Sequence, residues 1–209
     1  MNALRMVSSE ESVDRRSILG AIAATIAGAA TGALPRLAAA ARDPERIALV
    51  IGNAAYKAAP LKNPINDAKA VAARLRAMGY AVGLHEDTSL RELIEGLREF
   101  SLRAPRARVR LVFYAGHGVQ WRGRNFLLPV DANPQTEDDI ARQGVDVGAF
   151  VERLGAIAHG INVVVLDACR VNPFAGGVIV GPDGRRLKFR GSTPPGLAAL
   201  DAPMGTMIA

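Results

Sequence analysis

From Arg46 onward, short apolar runs alternate with longer amphipathic segments. Ile47 to Ile51 is a continuous apolar run closed by Gly52-Asn53. A run with no polar alternation marks a strand covered on both faces, as in the centre of a parallel sheet. From Pro64 the apolar positions Ile65, Ala68, Val71, Ala72, Leu75 and Met78 recur at helical spacing, and Gly79 supplies the stop. Tyr80 to Leu84 predicts a second, shorter strand. Ser89-Leu90-Arg91-Glu92 is a capping box, and Leu90, Leu93, Ile94, Leu97 and Phe100 form the stripe of a second helix. Val109 to Tyr114 and Ile161 to Leu166 are two further β-branched, apolar runs, each expected to stop at a small-residue turn. Val119 to Trp121 and Asn125 to Val130 flank Arg122-Gly123-Arg124 and predict a hairpin. A polar loop carrying Asp131, Glu137, Asp138 and Asp139 follows, and then a helix around Val147 to Ile157. Strands alternating with helices predict an α/β chain whose mainly parallel sheet is covered on both faces.

Size and charge narrow this picture. A chain of 209 residues with 49% apolar content can bury one full core, so one domain is expected after the leader. The formal charge is +6, but the basic residues are dispersed and few aromatics lie among them. That pattern argues against nucleic-acid binding, which favours a basic stripe with stacking residues. The first 41 residues read as a leader. Asp14-Arg15-Arg16-Ser17-Ile18-Leu19 precedes an alanine-rich apolar run from Gly20 to Ala33, then Pro35-Arg36 and Ala38-Ala39-Ala40-Ala41. Paired arginines and an A-x-A-like end predict a twin-arginine export signal cleaved near Ala40 or Ala41, with membrane contact only during export and a periplasmic or secreted product. Ile18 and Gly20 depart from the residues usual in that motif. An uncleaved membrane anchor is the alternative, although the run is short for a span and Gly28 and Gly32 interrupt it. Residues 42–209 then form the single folded domain.

The candidate chemistry sits where the two apolar runs stop. Tyr114-Ala115-Gly116-His117-Gly118 presents an imidazole, and Leu166-Asp167-Ala168-Cys169-Arg170 presents a thiol. Cys169 is the only cysteine, so it has no internal disulfide partner and is left to core packing or thiol chemistry. An imidazole within reach of a thiol can take its proton, and the thiolate is the competent nucleophile. His117 and Cys169 are therefore the candidate catalytic pair of a Cys/His hydrolase. His85 and His159 lie outside any motif; His85 is expected at the surface and His159 is assigned no role.

Taken in order, these motifs resemble the caspase-like cysteine peptidases of the C14 superfamily, in the metacaspase and bacterial orthocaspase branch. The 52-residue separation of His117 and Cys169 fits the offset of roughly 50 residues in caspases. The resemblance runs from Arg46-Ile47-Ala48-Leu49-Val50-Ile51-Gly52-Asn53 to Ala202-Pro203-Met204-Gly205-Thr206. It implies a caspase-haemoglobinase-like three-layer sandwich. It also implies a cysteine endopeptidase acting on protein or peptide substrates, with the Gly118 and Cys169 amides as oxyanion donors. Asn66-Asp67 matches the family position whose aspartate lines the pocket for a basic side chain, and Asp167 would be its companion. Two carboxylates facing one pocket repel unless a cation lies between them, so the pair implies cleavage after Arg or Lys. Each aspartate also has a local reading: Asp67 complements the helix N-terminus, and Asp167 serves a turn or cap.

No cofactor is required by this reading. Family members often bind calcium through several aspartates, which here would fall to Asp131, Glu137, Asp138 and Asp139; their spacing is not that of a convincing site, so calcium stands as the alternative to an ordinary solvated acidic loop. The Gly- and Pro-rich segment from Asn172 to Pro195 carries Arg185, Arg186, Lys188 and Arg190, and is either a solvated basic loop or a self-cleavage site. Met204 to Ala209 looks like the start of a further core strand. The resemblance implies further strands after this one, and a chain ending here is expected to leave an unpaired sheet edge open to dimerisation. The alternatives are a catalytically inactive or truncated caspase-fold interaction module, and a different Cys/His acyltransferase or hydrolase on an α/β fold.

Overall fold

The structure is a computed structural model that describes residues 43–57, 59–169, 178–180, 186–188 and 197–209, with 43, 44, 169, 178–180 and 186–188 described by their backbone alone. The expected leader, with its cleavage near Ala40 or Ala41, and most of the Asn172 to Pro195 segment lie outside the described residues.

The elements follow the predicted alternation. Strand β1 (Asp43–Gly52) leads to helix α1 (Pro64–Ala77), then β2 (Tyr80–Glu86), α2 (Leu90–Arg103) and a 3₁₀ turn over Ala104–Arg106. Next come β3 (Val109–Trp121), β4 (Arg124–Leu127), α3 (Glu137–Gln143), β5 (Val145–Asp146), α4 (Val147–Gly155) and β6 (Ile161–Cys169). Two short strands, β7 (Val178–Val180) and β8 (Arg186–Lys188), pair with each other, and β9 (Thr206–Ile208) closes the order. The main sheet runs β2-β1-β3-β6-β9 with every pairing parallel, so Thr206–Ile208 is the further core strand expected there. β4 and β5 extend it in antiparallel fashion from the far end of β3.

Three layers result. On one face, Ala68, Ala72 and Leu75 of α1 pack on Ala48, Val50, Phe113 and Ala115. On the other face, Leu93, Leu97 and Phe100 of α2 and Phe150, Val151 and Leu154 of α4 pack on Ile47, Leu49, Ile51, Val112, Tyr114 and Val164. Alternate residues of β1 thus feed opposite cores, which is why the run shows no polar alternation. The Ser89 capping box forms in full, with the Glu92 carboxylate accepting from the Ser89 amide at 2.9 Å.

Three expectations need correction. β3 does not stop at Tyr114 but continues through the glycine-rich motif into the hairpin, and β6 likewise runs to Cys169. The strand can do this because its neighbour changes: β1 pairs as far as Ala115, and β4 takes over from Gly118. The hairpin turns on Arg122 and Gly123, both with positive φ (49° and 74°), the conformation a two-residue turn needs to match strand twist. The acidic loop contains helix α3, opened by Asp139, whose carboxylate accepts from the amides of Gln135 and Thr136. His85 is not a surface residue: it is half-buried, with its ring against Gly96 of α2, where a methyl group would lie 3.4 Å from the imidazole.

Among the described residues, one charged side chain lies wholly in the interior. Arg110 is 1% exposed, and its guanidinium donates to the carbonyls of Ala104 and His159 and to Asn162 Oδ1. These acceptors are neutral, so burial alone lowers its pKa. His159 thus has a structural task, closing this fork with its carbonyl.

Candidate active site

Parallel pairing of β3 with β6 runs in register from Val109 opposite Ile161 to His117 opposite Cys169. The backbone therefore sets the two sequence-predicted residues side by side at the carboxyl edge of the sheet, where ligands approach open α/β sheets. Asn53 N donates to Ala115 O at 2.9 Å and Leu128 N donates to His117 O at 3.0 Å. Odd-numbered positions at this end of β3 thus turn their backbone groups toward β1 and β4. Gly118, an even position, turns its amide toward β6 and the strand that ends at Cys169. Both expected oxyanion donors therefore lie in the inter-strand ladder, not in free turns.

His117 is held on every side. Its ring is buried at 4% exposure, and Nε2 lies 2.7 Å from the Ala59 carbonyl. A carbonyl only accepts, so Nε2 carries the proton of the neutral ring and Nδ1 carries the lone pair. Nδ1 is buried and has no hydrogen-bond partner among the described residues. Burial lowers the imidazole pKa and outweighs the Ala59 bond, which acts in the opposite direction. The ring is therefore a neutral base near neutral pH.

Around it lies a polar network that the sequence motifs did not indicate. The Tyr56 ring packs on the imidazole with centroids 4.2 Å apart at 50°. Its hydroxyl accepts from His117 N at 2.9 Å and donates to Leu128 O at 2.9 Å. The Tyr114 hydroxyl lies 2.8 Å from His117 O and 2.8 Å from Leu128 O. Burial raises the Tyr114 pKa well above the ordinary phenol value, so it stays neutral. Asn53, fully buried, donates Nδ2 to Leu128 O at 3.3 Å and accepts from Thr88 N at 2.9 Å. Asp87, with φ of 48°, accepts from Ala54 N and Ala55 N and so anchors the start of the loop that carries Tyr56 and Ala59. No sequence motif marked these residues as a network in advance.

The two expected specificity residues meet. Asp67 and Asp167 line one cavity of about 300 Å³, together with Lys62, Asn63, Ala115 and Gly116. The volume is at the lower end of small-ligand sites. The acidic residues weighed for calcium do not converge. Asp131 accepts from Leu90 N, Asp138 pairs with Arg122 at 3.7 Å, and Asp139 is taken up by the start of α3 and by Arg142. Among the described residues no group of three or more His, Cys, Asp or Glu stands close enough to hold a metal ion. The residues do not fit a calcium site.

The caspase domain of peptidase family C14 matches residues 45–195, well over half of the chain. The chain belongs to the caspase-domain family. This caspase domain is 33% identical over 129 residues to mucosa-associated lymphoid tissue lymphoma translocation protein 1 of Homo sapiens, a match that covers 60% of this chain and 15% of the human protein. The homologue in Mus musculus matches with the same identity and coverage. The chain thus spans only a small part of the length of these curated relatives. Among solved structures, the Drosophila initiator caspase Dronc aligns with a TM-score of 0.49 at 10% identity, over 64% of this chain and 52% of that one. A structural-genomics protein from Geobacter sulfurreducens aligns with a TM-score of 0.47 at 18% identity, over 60% and 51%.

Proposed function

We propose that this caspase domain is a cysteine endopeptidase that cleaves after Arg or Lys through a His117/Cys169 dyad. The observation that carries the reading is the state of His117: a neutral ring with Nε2–H held by Ala59 and an Nδ1 with no partner among the described residues, on the strand whose register partner is Cys169. In the proposed cycle Nδ1 takes the Cys169 proton, and the thiolate attacks the scissile carbonyl carbon. The tetrahedral oxyanion is met by the Gly118 and Cys169 amides, which must exchange their strand partners for it. The imidazolium then protonates the leaving amine, leaving an acyl-enzyme. Water, activated by the same ring, releases the new carboxyl terminus and restores the thiol. The cavity with Asp67 and Asp167 supports a basic side chain before the cut, since two carboxylates outnumber the single cation, Lys62. Export by the twin-arginine route belongs to the same proposal and rests on the leader sequence.

A non-catalytic interaction module is the second reading. It is favoured by one observation, the placement of both oxyanion candidates inside the strand ladder. Fluorogenic peptides ending in Arg, Lys or Asp, offered to the full chain and to Cys169→Ala with and without calcium, separate the two. Turnover after Arg or Lys that vanishes in Cys169→Ala is the expected result. Cleavage after Asp overturns the assignment of Asp67 and Asp167, and absence of turnover from a folded sample favours the interaction module.

A further inference from the structure

We infer that Tyr56 is a positioning residue for His117, acting through both the backbone and the ring of that histidine. The inference rests on the Cys/His reading for its catalytic consequence, while its structural content stands on geometry alone. Between Ala115, where β1 pairing ends, and Gly118, where β4 pairing begins, β3 has no strand neighbour on that edge. An ordinary antiparallel pair would send the His117 amide directly to the Leu128 carbonyl. Here the Tyr56 hydroxyl is inserted between them, accepting from one and donating to the other at 2.9 Å each. Leu128 N still reaches His117 O, so the strands are wedged apart on one side of the pair only.

The proton order around this hydroxyl is consistent. The two tyrosine hydroxyls lie 3.2 Å apart, and the assignment in which Tyr56 donates to Leu128 O and Tyr114 to His117 O gives each hydroxyl its one acceptor. The same tyrosine ring packs 4.2 Å from the imidazole centroid, and the Ala59 carbonyl that holds Nε2 lies three residues further along the same loop. One loop thus sets the tautomer, the ring face and the backbone amide of the histidine. Gly116 records the closeness of the fit: a Cβ there would lie 2.7 Å from both tyrosine hydroxyls. With the hydroxyl removed, the His117 amide and the Leu128 carbonyl are free to close on each other and carry the imidazole with them.

The test compares the full chain with Tyr56→Phe, which keeps the ring and deletes the hydroxyl. Ring and amide ¹⁵N and ¹H shifts of His117, read at one pH, report the positioning without reference to catalysis. The expected result is a moved His117 amide resonance and a changed ring-nitrogen pattern in a folded variant. Alongside this, kcat should fall roughly tenfold to a hundredfold with KM within about twofold, the cost of a displaced catalytic group. Unmoved His117 resonances in folded Tyr56→Phe overturn the inference whether or not the protein is a peptidase. Moved resonances in a chain without turnover sustain it and count against the peptidase reading instead. Should Tyr56→Phe fail to fold, 3,5-difluorotyrosine at position 56 preserves the shape while weakening the acceptor. The His117 amide proton must then shift, and an unmoved resonance overturns the inference equally.

Discussion

Gly116→Ala is the sharpest stability probe of the site. A methyl group at this position would stand 2.7 Å from the Tyr56 and Tyr114 hydroxyl oxygens and 2.9 Å from Tyr114 Cζ. Neither ring can swing away, because Tyr114 is fully buried, Tyr56 is 5% exposed, and both hydroxyls are bonded to backbone. Overpacking of this kind costs about 1–3 kcal/mol. Pushing the hydroxyls off His117 and Leu128 weakens two hydrogen bonds worth about 1 kcal/mol each. A loss of about 3–5 kcal/mol follows, or an unfolding midpoint lowered by roughly 1.5–2.5 M urea at a slope near 2 kcal/mol/M. The single tryptophan, Trp121, sits in the adjoining hairpin and reports the transition by fluorescence. The double variant Gly116→Ala, Tyr56→Phe removes one of the two oxygens the methyl meets. It should be less destabilised than the sum of the single changes, by about 1 kcal/mol. A loss below about 1 kcal/mol for Gly116→Ala, or strict additivity in the double variant, would refute the hydroxyl-contact argument.

Two further outcomes are expected. Arg110→Lys should lower stability by about 2 kcal/mol or more in the same urea assay, because one ammonium cannot meet the three separated acceptors of the guanidinium fork; a change within about 0.5 kcal/mol would show that the fork is dispensable. His117, its pKa lowered in the fold, takes up its proton at lower pH than in the unfolded chain, where the ordinary value is 6.5. As pH falls below that value the unfolded state binds a proton the folded state does not, so stability drops until the lowered folded pKa is passed and then levels. Wild type should therefore lose stability relative to His117→Asn over that acid window, and parallel pH profiles for the two proteins would contradict the buried neutral imidazole.

What a run of residues can encode alone is its period and its ends, and those were legible. Ile47 to Ile51 reads as a doubly covered strand because every position is apolar. α1 and α2 read from 3.6-residue spacing, and Ser89 with Glu92 marks where α2 begins. The histidine and the thiol were legible because each sits in a short motif at the end of an apolar run, and the register of β3 on β6 then follows from how those runs pair. By contrast, whether β3 stops or continues past Tyr114 depends on β4 replacing β1 as its neighbour, and strand exchange leaves no periodic mark in the exchanged strand. The acidic stretch before Val145 read as loop because its helix is short and Ile140 is the one buried residue in it. Asp67 and Asp167, a hundred residues apart, share a cavity only because α1 packs on β3, whose parallel neighbour β6 carries Asp167. Tyr56 and the Ala59 carbonyl were invisible in advance for a related reason. A backbone acceptor has no sequence signature, and a loop tyrosine becomes a histidine's partner only when packing brings segments about 60 residues apart into contact. The sequence by itself determined most of the elements and pointed to the candidate pair, since these depend on local spacing and residue chemistry. Only the tertiary structure decided the tautomer, the orientation and the burial of His117, because those are set by groups whose distances exist only after the chain has folded.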